Sequence, residues 1–125
     1  MTYQEKIIEN YINAYNRFDI DGMLNELHAD IRFENVHGGE ITLTTQGISA
    51  FGEQAGKAAR LFREREQVIT GFHTEENHIT VSISYTGIIA CDLPDGPKEG
   101  DIVKLDGKSV FTFAEGKIIH LRDES

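Results

Sequence analysis

Between Asn77 and Cys91 the chain reads NHITVSISYTGIIAC. Ile79, Val81, Ile83 and Tyr85 alternate there with Thr80, Ser82, Ser84 and Thr86. A period of two puts the apolar set on one face of a strand and the hydroxyl set on the other. Such one-sided strands belong to antiparallel sheets that are covered on one face only. The flanking segments supply partners. EQVITGFHT reads as the preceding strand, joined through TEEN as a hairpin turn. DLPDGPKEGD holds both prolines and is a solvated connection. IVKLDGKSVFTFA is the next strand, EG its turn, and KIIHLRDES the last strand.

The first half supplies helices. Thr2 and Glu5 form the T-x-x-E capping box of a first helix. Tyr3, Ile7, Tyr11, Tyr15 and Phe18, with Ile8 and Ile12 beside them, make its apolar stripe. Asp19 caps a short second helix that buries Ile20, Met23, Leu24 and Leu27, with His28 at its end. DIRFENV then alternates as a strand, with Ile31, Phe33 and Asn35 on one side and Arg32, Glu34 and Val36 on the other. HGGEITLTTQG reads as a turn followed by a loop or ragged strand. A third helix starts at Gly47 or Ser49 and runs to about Arg65, burying Ile48, Phe51, Ala55, Ala58, Ala59 and Phe62. REREQ, Arg63 to Gln67, is then its solvated end, with guarding a cavity mouth as the second reading. The order predicts an α+β fold, a curved sheet wrapped around helices.

At 125 residues the chain fits a single domain, 1–125, with enough length for a core of its own. The net charge of −9 argues against nucleic acid and anionic membrane surfaces, both of which need a positive footprint. Cys91 is the only cysteine, so no internal disulfide forms and a reducing cytoplasm is the simplest compartment. No signal peptide or membrane-spanning run is expected. His28, His37, His73, His78 and His120 show no ligand spacing, so no metal is expected. No glycine-rich phosphate loop or other cofactor signature is present either.

YINAYNRFDIDGML, LHADIRFEN, TTQGISAFGEQ and the closing VFTFAEGKIIHLRDES, in this order, resemble the nuclear transport factor two-like domains. That group includes the SnoaL-like polyketide cyclases and the ketosteroid isomerases. The resemblance implies a cone-shaped fold, with a strongly curved antiparallel sheet closed by three helices of the N-terminal half around an apolar cavity. It also implies a small hydrophobic ligand and a homodimer formed through the sheet. It does not fix an activity, because the fold hosts enzymes, binding modules and scaffolds.

The same resemblance assigns positions. Ketosteroid isomerase-like members hold an oxyanion with a tyrosine of the first helix and an acid on a late strand, while an aspartate on the first strand moves the proton. Tyr11 stands at the tyrosine position, Asn35 at that of the proton-moving aspartate, and Ser109 near that of the acid. An amide does not titrate near neutrality, and Glu34, one residue away, faces the other side. Isomerase chemistry of that kind is therefore not expected. SnoaL-like cyclases carry a general acid/base aspartate on the last strand, and Asp123 lies close to that place, on a face with Ile119 and Leu121. Its competing reading is a surface residue near the chain end, beside Arg122 and Glu124. Asp123 and Tyr11 are thus the candidate catalytic pair. Asn35, Tyr15, Phe33, Phe51, Tyr85, Ser109 and Phe111 are candidates for the ligand-binding lining, with core packing as the alternative for the aromatic rings. The expected function is acid/base catalysis of isomerase, cyclase or hydrolase type on a hydrophobic carbonyl compound. The alternative is a non-catalytic ligand-binding or dimerisation module.

Overall fold

A computed structural model describes residues 1–125. Helices α1 (Tyr3–Asn16), α2 (Ile20–Leu24) and α3 (Ile48–Ala59) accompany strands β1 (Leu27–His37), β2 (Glu40–Gln46), β3 (Phe62–Thr74), β4 (Ile79–Ile89), β5 (Ile102–Ala114) and β6 (Lys117–Glu124). The strands form one curved, unclosed six-stranded sheet in the order β2-β1-β6-β5-β4-β3. It is antiparallel except for β1 against β6, which run parallel.

Local chemistry sets the helix ends. The Thr2 hydroxyl accepts from the Glu5 N–H, and the Glu5 carboxylate accepts from the Thr2 N–H, closing the capping box. Ile7, Ile8, Tyr11, Ile12 and Ala14 are buried along α1, but Tyr3 is 73% exposed, so the buried stripe starts one turn later than its sequence pattern suggests. Phe18 sits at φ 58°, a left-handed conformation that ends the helical run. Asp19 then caps α2 by accepting from the Gly22 N–H at 2.9 Å.

Cross-sheet register decides what faces the helices. Leu43, Asn35, Asp123, Ser109 and Val81 stand opposite one another on five successive strands and form one row of the inner face. Phe33, Leu121, Phe111 and Ile79 form the next row, toward the core that α1 and α3 cover. Full burial of Ile8, Ile31, Ile79, Phe111, Ile118 and Leu121 makes this the stabilising centre, at about 1.5–3 kcal/mol per side chain.

Several boundaries differ from the sequence expectation. The third helix ends at Ala59, and Phe62 already belongs to β3, so REREQ is strand and not helix end. His28 lies in β1 and not at the end of α2; its Nδ1 accepts from the Asp30 N–H. HGGEITLTTQG contains β2, whose pairing with β1 shifts at Asn35/Val36, as a ragged strand would. In β6, pairing passes from Phe113↔Ile118 to Thr112↔His120, leaving Ile119 as a bulge. The bulge reverses the alternation. Ile118 and Leu121 are therefore both fully buried, and Ile118, not Ile119, shares the inner face with Leu121 and Asp123. His120 stays on the other face, where its Nε2 lies 2.7 Å from the buried Glu34 carboxylate.

Candidate functional site

Two cavities meet on the inner face of the sheet. A helix-side cavity of about 200 Å³ lies between α1, α3 and the β1–β2 hairpin. A strand-side cavity of about 410 Å³ lies over β4, β5 and β6. Tyr15, Asn35 and Asp123 line both and so stand at their junction.

Asp123 occupies that junction because β6 inserts between β1 and β5, which places it opposite Asn35 on one side and Ser109 on the other. The Ser109 hydroxyl donates to Asp123 Oδ1 at 2.7 Å. Oδ2 has no protein partner. The carboxyl faces cavity space while protein surrounds it, and this desolvation pushes its pKa from 3.8 up to about 6, the Ser109 hydrogen bond acting the other way. The competing expectation of a salt-bridging surface residue therefore does not describe Asp123. Arg122 pairs instead with Glu124, at 3.2 Å.

Gly107 holds this strand end in place. A Cβ on Gly107 would stand 2.6 Å from the Glu124 carbonyl oxygen, so only glycine lets the end of β6 approach β5 so closely.

Three phenols share the two cavities with the carboxyl. Tyr11 is buried, stacks edge-on with Phe51 and Phe111, and lines the helix-side cavity. Its hydroxyl makes no protein hydrogen bond. Burial first and the nearby Asp123 charge second raise its pKa well above the ordinary phenol value, so it remains a proton donor. Tyr15 and Tyr85 share a hydroxyl–hydroxyl hydrogen bond of 2.9 Å. Burial dominates both of their upward shifts as well. The Asn35 amide donates to the Thr42 hydroxyl at 2.9 Å.

Eight of the nine expected residues thus line one cavity or both. Tyr11, Phe33 and Phe51 line the helix-side cavity, and Tyr85 and Ser109 the strand-side one. Phe111 lines neither; it is 1% exposed and fills the core behind Tyr11. Several polar residues were not expected in the lining, Lys108, Glu124 and Ser125 of the strand-side cavity among them. Gln54 of α3 lines the helix-side cavity and Gln67 of β3 the strand-side one. Arg65 of β3, expected on a solvated helix end, is 5% exposed and lines the helix-side cavity. Arg65, Gln67 and Ile69 face inward in phase, but Glu64, Glu66 and Val68 on the other face are just as mixed in polarity, so no period-two contrast marks Arg65 in the sequence.

The carboxyl group, phenols and apolar walls form a site that can bind a small molecule and move a proton. Residues 8–121 match the family model described as the SnoaL-like domain. The chain belongs to the SnoaL-like domain family, within the nuclear transport factor two-like superfamily. Comparison with curated proteins gives no significant match. Among solved structures, the chain is similar to a protein assigned as a SnoaL-like polyketide cyclase from Jannaschia sp. CCS1, at TM-score 0.80 and 16% identity, covering 97% of this chain and 83% of that one. It is similar to a protein assigned as a polyketide cyclase from Xanthomonas campestris pv. campestris, at TM-score 0.79 and 20% identity, covering 98% and 90%. It is also similar to an LEH-like epoxide hydrolase from M. tuberculosis, at TM-score 0.74 and 21% identity, covering 95% and 79%. At these identities the likeness establishes the fold.

Proposed function

We propose that the protein catalyses proton transfer on a hydrophobic carbonyl compound, with Asp123 as the general acid/base. One observation carries this reading. The Asp123 carboxyl has one oxygen held by Ser109, the other free at the junction of two cavities, and a pKa of about 6. A group titrating there is largely ionised at neutral pH, yet it is a stronger base than an ordinary aspartate and takes up a proton far more readily. Its free oxygen takes a proton from the carbon beside a carbonyl. The electron pair moves onto the carbonyl oxygen as an enolate, and reprotonation at another carbon, or attack on a second carbonyl, completes an isomerisation or a ring closure. Tyr11, held protonated, donates to the developing oxyanion. Asn35 and the Tyr15–Tyr85 pair supply further hydrogen bonds to orient the ligand. The names of two structural relatives, both assigned as polyketide cyclases, agree with this class of chemistry.

Exchange of carbon-bound protons with solvent deuterium tests the step without knowledge of the full reaction. A panel of hydrophobic ketones and β-dicarbonyl compounds is incubated in D2O and followed by proton magnetic resonance, with binding measured separately by calorimetry. The wild type is expected to accelerate exchange for ligands it binds, and Asp123→Asn to abolish the acceleration. Ligands that bind without exchange would instead identify a non-catalytic binding module. Exchange that survives Asp123→Asn would place the base elsewhere.

A further inference from the structure

Arg65 is the one charged group of the helix-side cavity that the proposed proton transfer leaves unused. It is 5% exposed and forms no ion pair. Its Nε donates to the Tyr15 carbonyl at 3.0 Å, at the C-terminal end of α1, where a positive charge complements the helix dipole. Its guanidinium carbon lies 3.7 Å from the Tyr15 ring centroid and 4.5 Å from that of Phe18. These contacts fix the plane of the group and occupy its faces and one N–H. They do not satisfy its outer edge, because Nη2 is buried without any hydrogen-bond partner.

A guanidinium cannot relieve such burial by releasing its proton. A buried cation with an open donor edge is strongly disfavoured unless an anion meets it. The neighbouring Glu64 and Glu66, which share a surface groove with Arg65, do not pair with it. Arg65 lines the helix-side cavity as well as that groove. The cavity walls are otherwise mostly apolar, with Met23, Phe33, Phe51, Ala55 and Ala58 among them. Asp123 is the single carboxyl in this lining, its second oxygen accepts no protein hydrogen bond, and the guanidinium and the carboxyl line the same cavity without pairing.

We infer that Arg65 anchors the carboxylate of a hydrophobic organic acid in the helix-side cavity, its guanidinium N–H groups donating to the carboxylate oxygens while the apolar walls take the hydrocarbon body. Planar, bidentate recognition of a carboxylate is what a guanidinium offers and an ammonium does not. The inference rests on the reading of this cavity as a small-molecule site, and it narrows the substrate class from carbonyl compounds in general to acidic ones.

Calorimetry with a matched pair of probes, naphthoate and the neutral naphthamide, tests it. The wild type is expected to bind the carboxylate at least about tenfold more tightly than the amide, as charge-assisted pairing in a dry site requires. Arg65→Met is expected to bind both alike, and Arg65→Lys to recover only part of the preference. Circular dichroism melts establish that each variant is folded. Should Arg65→Met fail to fold, the wild-type comparison of the two probes still decides. Equal wild-type affinity for the two probes, no carboxylate binding at millimolar concentration, or a preference that persists in folded Arg65→Met would overturn the inference. Asp123→Asn is expected to keep the carboxylate preference. Loss of deuterium exchange and loss of this preference therefore report on two separate claims.

Discussion

Asp123→Asn should make the protein more stable at neutral and alkaline pH while removing its proposed activity. The expected size follows from the shift of the carboxyl. In the unfolded chain it titrates near its ordinary 3.8, and in the folded protein at about 6. Between those values the folded state holds the proton more often than the unfolded state. Stability therefore falls as pH rises through this window and stays lowered above it. A shift of roughly two pK units corresponds to about 3 kcal/mol, and about 2–3 kcal/mol is a fair expectation because the carboxyl borders water-sized cavity space. The amide avoids this loss: it is neutral, nearly the same shape, and its Oδ1 still accepts from Ser109. Urea denaturation of both proteins across a pH series measures the difference. The gain is expected to be full above pH about 7, to shrink between about 6 and 4, and to vanish below. In melting temperature it amounts to roughly 3–5 °C for each kcal/mol in a domain of this size. A variant that is less stable at alkaline pH, or a gap that does not change with pH, would refute the claim that desolvation sets the state of Asp123.

Two further substitutions probe the same corner. Ser109→Ala removes the hydrogen bond that favours the ionised carboxyl, so the Asp123 pKa should rise above 6 by about one unit or slightly more; a carboxyl-carbon magnetic resonance titration in which it stays put or falls contradicts the assignment. Gly107→Ala drives a methyl group against the Glu124 carbonyl, so β6 must shift at its end, with an expected loss of about 1–3 kcal/mol and a larger proportional loss of exchange activity; unchanged amide shifts at Asp123 and Glu124 would show that the strand end has room after all.

Much of this architecture was legible because the residues that carry it also carry period. The Ile79–Tyr85 alternation gave β4 and its inner face, and the capping box gave the start of α1. Asn35 could be aimed inward from the alternation of β1 alone. What escaped has a physical cause in each instance. Arg65 sits in a run of mixed charges where hydropathy has no contrast, so a buried guanidinium reads like a solvated one. The bulge at Ile119 depends on how β6 meets β5, and no single strand displays it. The parallel pairing of β1 with β6 joins residues almost ninety positions apart, beyond the reach of any local pattern. The Ser109–Asp123 contact follows from that long-range register, although each residue was suspected separately.

The position of β6 in the sheet also has a kinetic meaning. Residues 117–124 form a central strand, with β2-β1 on one side and β5-β4-β3 on the other. Until they insert, the two halves of the sheet have no hydrogen-bonded connection, and Asn35 and Ser109 have nothing between them. Closing that gap is a highly non-local event of the kind that slows folding. β6 must therefore emerge from the ribosome before either cavity acquires its common wall. Nascent chains stalled short of β6 should expose the edges of β1 and β5 together, two open templates for strand pairing held in one molecule.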